Sequence, residues 1–421
     1  MRIMVIGGGG REHAIIKALK KSPRVDEIFA LPGNGGIAAD AVCVPIGAKE
    51  IEAQVKFALE NGVDFAVVAP DDPLVLGAVD ALEAAGIPCF GPDKKAAIIE
   101  GSKVFSKDLM KKYGIPTAQY MAFTDMEEAL KYLETAPVPT VVKADGLALG
   151  KGVIIAGTRD EARAAVREIM AGKKFGDSGN QIVIEEFLEG PEVSVLSFTD
   201  GQTLVPMVSS MDHKRALDGD RGLNTGGMGT VAPNPYYTAD IAKQCMEKIF
   251  LPTVDAMNAE GRSFKGCLYF GLMLTKNGPK VIEYNCRFGD PETQVVLPLL
   301  ESDLLTIMEA CRNGGLAGTE VKFAHRHACC VVMASAGYPE AYEKGYEITT
   351  DAALKAEVYI AGARLEGEKL LTNGGRVLGV VSTGETLERA IKTAYDEVNH
   401  VHFANAYYRH DVGARALAAG K

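Results

Sequence analysis

Short apolar runs alternate with amphipathic helical patterns over the first hundred residues. Residues 3–6, 27–30, 65–69 and 88–90 read as strands, and 13–20 and 53–60 as two of the helices between them. That alternation predicts βαβ units and an open parallel sheet. From about residue 101 the pattern changes to helices and long hairpins, with glycine-rich turns at 144–152, 189–191, 218–229 and 276–279. The clearest hairpin joins 268–275 to 280–286 through Lys276-Asn277-Gly278-Pro279. From about 324 a third region carries strands at 328–334 and 376–382, the turn Asn373-Gly374-Gly375 and an amphipathic helix over 385–399. The expected division is an α/β domain at 1–100, an α+β domain at 101–323 and a small α+β domain at 324–421. Neither an internal repeat nor a low-complexity linker separates them, so they are expected to pack together.

Composition narrows the function classes. A chain of 421 residues exceeds one ordinary core, in line with a prior of roughly 150 residues per domain. With 45 Lys and Arg against 55 Asp and Glu, the net charge of −10 argues against a nucleic-acid or acidic-membrane surface, either of which needs a basic face. The eight cysteines show neither Cys-x-x-Cys nor Cys/His ligand spacing. A disulfide framework or zinc site is therefore not expected, and the pattern suits a reducing cytoplasm. Met1 opens directly into the first strand pattern, leaving no room for a signal peptide, and no apolar run reaches the ~18 residues of a membrane span.

Chemistry concentrates first in 281–294. Side chains alternate along a strand, so Glu283, Asn285 and Arg287 are expected on one face and Ile282, Tyr284 and Cys286 on the other. A carboxylate beside an amide oxygen offers hard ligands for Mg²⁺, and Arg287 adds a planar fork for a carboxylate or phosphate. The plain alternative, a surface salt-bridge ladder, leaves the Arg-Phe-Gly-Asp-Pro-Glu-Thr turn unexplained.

Two glycine loops add anion-binding potential. Gly7-Gly8-Gly9-Gly10 follows the first strand, but Glu12 stands where a dinucleotide fingerprint needs its third glycine, and the second strand ends in Leu31-Pro32 rather than an acid. A nicotinamide-dependent oxidoreductase is disfavoured. What survives is a helix N-terminus whose glycine N–H groups can hold a phosphate. Pro32-Gly33-Asn34 and Ala69-Pro70-Asp71-Asp72 should share that carboxyl edge. In the middle region, a strand over 140–143, the turn Ala144–Gly152 and a strand over 153–156 read as a lid able to close over a polyphosphate. The segment 182–192 then offers a connector for an adenine edge and Glu192 for ribose hydroxyls.

Taken together, Gly8-Gly9-Gly10-Arg11-Glu12-His13-Ala14, Pro32-Gly33-Asn34, Lys143-Ala144-Asp145-Gly146-Leu147-Ala148, Asp212-His213-Lys214-Arg215, Asn224-Thr225-Gly226-Gly227-Met228-Gly229 and Glu283-Tyr284-Asn285-Cys286-Arg287-Phe288-Gly289-Asp290 resemble the phosphoribosylamine–glycine ligase family of ATP-grasp enzymes. The likeness runs in order to Thr372–Leu378 and Tyr408–Gly413. It implies an N-terminal pre-ATP-grasp domain, a central ATP-grasp domain with a mobile lid at about 117–188, and a small C-terminal domain. By the same resemblance, Lys103, Lys143, Gly150, Lys151 and Gly152 meet the ATP phosphates. Glu185 and the backbone of Glu186 and Leu188 meet adenine, and Glu192 the ribose. Glu283 and Asn285 hold Mg²⁺ or Mn²⁺. The strand before them, Leu272-Met273-Leu274-Thr275, lacks the carboxylate that many ATP-grasp enzymes carry there. Arg287, Asp212, Asn224, Thr225 and Gly226 hold glycine and the intermediate, and Gly9, Gly10 and Asn34 the phosphoribosyl group. Gly8 replaces a common Asn and Leu223 a common Pro, both without loss of backbone role.

The implied reaction joins glycine to 5-phosphoribosylamine with ATP in purine biosynthesis, in the cytoplasm, with transient contact to the upstream amidotransferase. Lys143, Arg287 and Asp212 are its expected catalytic groups. Asp212 could orient the attacking amine or bind the glycine ammonium, and His213 could be a base or a structural histidine. Two other readings stay open: an ATP-grasp enzyme that carboxylates with bicarbonate, and a nucleotide-binding regulator without catalysis.

Overall fold

The computed structural model describes residues 1–148, 152–172 and 176–419. Its first region is a five-stranded parallel sheet in the spatial order Val42–Cys43, Glu27–Pro32, Arg2–Gly7, Phe65–Val68 and Cys89–Phe90. Ile3, Met4, Val5 and Ile6 are fully buried, the continuous apolar run of a strand covered on both faces. The strand order reverses beside Arg2–Gly7, so the loops after Arg2–Gly7 and Phe65–Val68 flank the crevice where such sheets bind ligands.

The middle region holds two antiparallel sheets. One, in the order Tyr120–Phe123, Ile182–Glu186, Thr140–Ala144 and Val153–Ala156, packs on helix Arg159–Met170 through its own core around Val142, Ile184, Val166 and Ile169. The helix starts on Thr158, whose hydroxyl accepts from Glu161 N. The other sheet runs Leu204–Pro206, Glu192–Thr199, Gly266–Thr275 and Gly278–Asn285. Its last two strands are the expected hairpin, with the turn narrowed to Lys276-Asn277.

One expectation needs correction. Gly271 pairs with Glu283 and Leu272 with Val281, so Ile282 is an extra, bulged residue. The bulge shifts the alternation: Val281, Tyr284 and Cys286 enter the core, and Ile282 does not. The middle and third regions share strand pairing. Strands Met211–Asp212 and Gly229–Ala232 continue into His327–Ser335, Arg376–Gly384 and Glu357–Ile360 as one sheet. Helix Leu387–Val398 covers that sheet through Ala390, Ile391 and Ala394.

Candidate functional site

The turn after Gly278–Asn285 is the point on which the other motifs converge. Phe288 is buried and packs at 5.9 Å from Phe90 and 6.0 Å from Phe198, an aromatic peg that fixes the residues on either side. Arg287 is thereby turned toward Glu100, with Nη2 3.1 Å from Oε1, while the other Glu100 oxygen accepts from Cys286 N at 2.8 Å. Burial raises the Glu100 carboxyl and works against the Arg287 charge, yet Glu100 and Asp71 keep the guanidinium firmly protonated. Arg287 Nε is buried without a partner among the described residues, a donor available to a guest.

A cluster of charges lies beside this turn. Lys143, on strand Thr140–Ala144, donates to the Ile282 carbonyl at 3.1 Å, the carbonyl of the bulged residue. Its Nζ also stands 3.0 Å from Glu185 Oε1, and Lys107 Nζ stands 3.0 Å from Oε2. Lys103, at the start of helix Lys103–Tyr113, donates to Gly146 O at 2.9 Å. Glu283 lies among cations: burial would raise its carboxyl, but Lys214, Lys143, Lys103 and Arg287 hold it below the usual range. Lys214 Nζ is 3.5 Å from both Glu283 Oε1 and Glu192 Oε2. Asn285 makes no side-chain hydrogen bond to a described residue. An ionised carboxylate and an amide oxygen free of partners suit a hard divalent cation, and no group of three or more His, Cys, Asp and Glu among the described residues offers another metal site. Glu186 pairs with Lys280 at 3.5 Å and gives its N–H to Gln119 O at 2.9 Å, and Leu188 follows in irregular backbone. Gly152 closes the lid strands through its carbonyl, which accepts from Ala144 N at 2.9 Å. Gly150 and Lys151 lie outside the described residues.

On the opposite side of the turn stands the loop Asn224 to Gly229. Thr225 Oγ1 donates to Lys214 O at 2.9 Å and accepts from Gly227 N at 3.0 Å. Gly227 has φ +118, and a Cβ there would lie 2.4 Å from Pro291 Cδ and 2.6 Å from Asp212 Oδ1, so only glycine lets the loop lie against both. Arg376 Nη1 donates to Gly226 O at 2.9 Å and to Asp290 O at 3.0 Å, tying loop to turn. Asn224 ends strand Arg221–Asn224, in register with Arg215. Burial and the neighbouring Glu292 push the Asp212 carboxyl well above its ordinary range. His213 is structural: Nδ1 donates to Gly229 O at 3.1 Å, and Nε2 accepts from Gly413 N at 3.0 Å. Both ring nitrogens are engaged, and burial lowers its pKa to about 4.

The amino-terminal loop meets the turn from a third side. Arg11 Nη1 donates to Phe288 O at 3.2 Å, and a Cβ on Gly9 would lie 3.4 Å from Asp290 Oδ2. Glu12, in place of the fingerprint glycine, takes the Gly9 N–H at 2.6 Å and pairs with Arg11 at 2.6 Å. The left-handed backbone falls at Gly7, with φ +120, rather than at Gly9 or Gly10. Asn34 is fully engaged: its amide donates to Gly8 O at 2.9 Å and Ile360 O at 2.8 Å, and its oxygen accepts from Gly36 N and Ile37 N. Its side chain therefore shapes the loop and bridges it to the third region.

Sequence reasoning missed Lys107, Glu100, Glu292, Lys214 and Arg376. Lys107 was within reach, since it lies one helical turn after Lys103 on the same face. Lys214 and Arg376 stood inside quoted motifs without a role. Glu292 likewise stood in the Arg-Phe-Gly-Asp-Pro-Glu-Thr turn without a role, and Glu100 gave no local signal, because its partners come from a distant segment.

Residues 1–100, 101–293 and 328–415 match the family models described as Phosphoribosylglycinamide synthetase N domain, ATP-grasp (A) domain and C domain. The chain is 47% identical over 415 residues to the phosphoribosylamine–glycine ligase of Caldanaerobacter subterraneus subsp. tengcongensis, covering 98% of this chain and 100% of that one. It is likewise 47% identical over 420 residues to that of Halalkalibacterium halodurans, covering 99% and 98%. Among solved structures, the Thermotoga maritima phosphoribosylamine–glycine ligase matches with a TM-score of 0.87 at 36% identity, over 98% of this chain and 100% of that one. Biotin carboxylase from Campylobacter jejuni shares the fold, with a TM-score of 0.76 at 13% identity over 97% and 92% of the two chains. Its three matched domains and full-length identity assign the chain to the phosphoribosylglycinamide synthetase family of ATP-grasp enzymes.

Proposed function

We propose that this chain ligates glycine to 5-phosphoribosylamine, consuming ATP and yielding 5-phosphoribosylglycinamide, ADP and phosphate. The observation that carries this reading is the full-length identity to ligases of that name, together with the convergence of Lys143, Glu283, Arg287 and the Asn224 to Gly229 loop on one turn. A carboxylate has no leaving group, so the γ-phosphoryl group must first pass to glycine to give glycyl phosphate. Such a transfer depends on positioning and charge neutralisation more than on a protein nucleophile.

In this reading Lys103 and Lys143 hold the phosphates, Glu185 with the backbone of Glu186 and Leu188 the adenine, and Glu192 the ribose. Glu283 and Asn285 would hold Mg²⁺ or Mn²⁺, which supplies charge neutralisation at the transferred phosphoryl group. Arg287, with its spare Nε, binds the glycine carboxylate and its phosphorylated form. Asp212 and Glu292 repel one another, and an ammonium relieves that repulsion, so Asp212 receives the glycine amine end. Gly9, Gly10 and the Asn34 loop hold the phosphoribosyl group at the sheet crevice. Residues 101–323 form the ATP-grasp domain, and the sheet at 117–188, with its own core, is its lid, closing to keep water from the acyl phosphate.

We place the reaction in the cytoplasm. The eight cysteines are free, and no helix among the described residues is long and apolar enough to cross a membrane. Transient delivery of the unstable amine by an upstream amidotransferase completes the reading. The test is ADP release with glycine, phosphoribosylamine generated in situ and Mg²⁺. Release that requires both glycine and the amine is expected. Turnover that needs bicarbonate and ignores glycine would overturn the assignment in favour of a carboxylating enzyme, and no turnover would favour a regulator.

A further inference from the structure

Arg409 is the largest fully sealed side chain among the described residues, with its side chain 1% exposed, and it sits far in sequence from the binding groups assigned above. Its guanidinium grips Asp411 with both ends, Nε to Oδ1 at 2.7 Å and Nη2 to Oδ2 at 2.8 Å. The remaining nitrogen, Nη1, donates to Asp220 Oδ1 at 2.9 Å and to the Arg215 carbonyl at 3.1 Å. Asp411 in turn accepts from Gly219 N at 2.8 Å. Four residues later, Gly413 N donates to His213 Nε2. Thus a short segment near the carboxyl end clasps the hairpin Arg215–Leu217 and Arg221–Asn224 at its tip and at its base.

The clasped hairpin is the insert between Asp212 and the Asn224 to Gly229 loop. Its two stems are pinned to each other by Thr225 N to Lys214 O at 2.8 Å and Met228 N to His213 O at 2.8 Å. Any shift of the hairpin is therefore passed to Asp212 and to the glycine loop. The tip is held in a conformation it does not prefer: Asp220 has φ +54, an uncommon value for a residue other than glycine, and its carboxylate meets Arg409 there. A buried arginine satisfied by two carboxylates and a carbonyl is rigid and direction-specific, which a lysine cannot reproduce. Burial would raise the Asp411 carboxyl, but the Arg409 contact brings it down to about 2, so the pair stays charged across the working range.

We infer that Arg409 is a positioning residue that sets the Asp212 to Gly229 segment for the glycine half of the reaction, through the hairpin it holds. This inference rests on the proposal that the segment binds glycine and its acyl phosphate.

The test compares wild type with Arg409→Lys, Arg409→Met and the gentler Asp220→Asn, which keeps a residue tolerant of positive φ. In Arg409→Met, KM for glycine is expected to rise roughly 10- to 100-fold with a fall in kcat, while KM for ATP stays within about twofold. Arg409→Lys should recover part of that loss, and Asp220→Asn should show the same pattern more weakly. Hydrogen exchange should speed up over 215–228 in the variants and stay unchanged over 140–156. Unchanged exchange over 215–228, a uniform loss across all substrates, or faster exchange with an unaltered glycine KM would each overturn the inference. Failure of wild type to turn over with glycine would instead sink the functional reading, and the exchange measurement would still report on the clasp.

Discussion

Lys107 Nζ lies 3.0 Å from Glu185 Oε2, and both side chains are almost sealed from solvent. The other oxygen of that carboxylate faces Lys143, so one buried acid is shared between two lysines from different elements. Lys107 also donates to Thr117 Oγ1 at 2.8 Å, and Thr117 in turn donates to Val281 O at 2.7 Å, tying the start of the sheet that holds Glu185 to the strand that carries Glu283 and Asn285. Lys107→Met is expected to raise KM for ATP by about tenfold and to cost roughly 3 kcal/mol of stability, measured by steady-state kinetics and urea unfolding.

The same pair predicts a pH effect. Burial lowers Lys107 from 10.5 to about 8 despite Glu185. The unfolded chain therefore binds this proton more tightly between those values, and the group adds stability as pH rises through that window. Activity moves the opposite way, because the ion pair is intact below about pH 8 and lost above it. KM for ATP should climb above about pH 8 in wild type and show no such break in Lys107→Met.

Glu283→Gln removes the charge on which a divalent ion would rest while keeping the shape of the bulged strand. Turnover should fall by roughly two orders of magnitude or more with folding intact, and Mn²⁺ should restore part of it. Retention of more than about half the wild-type rate at saturating Mg²⁺ would refute the metal assignment.

Gly10→Val tests the amino-terminal loop. A Cβ at Gly10 would sit 2.8 Å from Gln294 Nε2, the group that donates to Asp290 at 2.9 Å. Affinity for 5-phosphoribosylglycinamide should drop, whereas an ATP analogue should bind as in wild type. Calorimetric titration with each ligand separates the two effects, and undiminished product affinity in a folded variant would move the phosphoribosyl site elsewhere.

His213 supplies a stability prediction rather than a catalytic one. Burial lowers its pKa from 6.5 to about 4, so protonation favours the unfolded chain. Its contribution is complete above about pH 6.5 and is lost as pH falls toward 4, by about 3 kcal/mol in all. The urea unfolding midpoint should therefore fall with acid more in wild type than in His213→Gln. No break in kcat/KM should trace to this residue.

Much of this was legible in the chain because the information is local. Strand Arg2–Gly7, the Gly266–Thr275 hairpin and helix Leu387–Val398 each follow from period and turn chemistry within a dozen residues. The face of Glu283 and Asn285 was also readable, but the place of Ile282 was not, since a bulge depends on the register of the facing strand. Glu100 could not be found from its surroundings in sequence, because its partner is Arg287, brought to it by tertiary packing. Asn34 and Glu12 show the converse: both sit in recognisable motifs, yet the polar atoms of Asn34 serve its own loop and those of Glu12 cap the helix in which it sits.

The sheet that runs from Met211–Asp212 through His327–Ser335 to Glu357–Ile360 joins the third region to the second. Cutting the chain after residue 323 would not release a free-standing module. It would strip Gly229–Ala232 of one of its two neighbours and leave an open row of N–H and C=O groups on both pieces, an invitation to adhesive pairing between molecules.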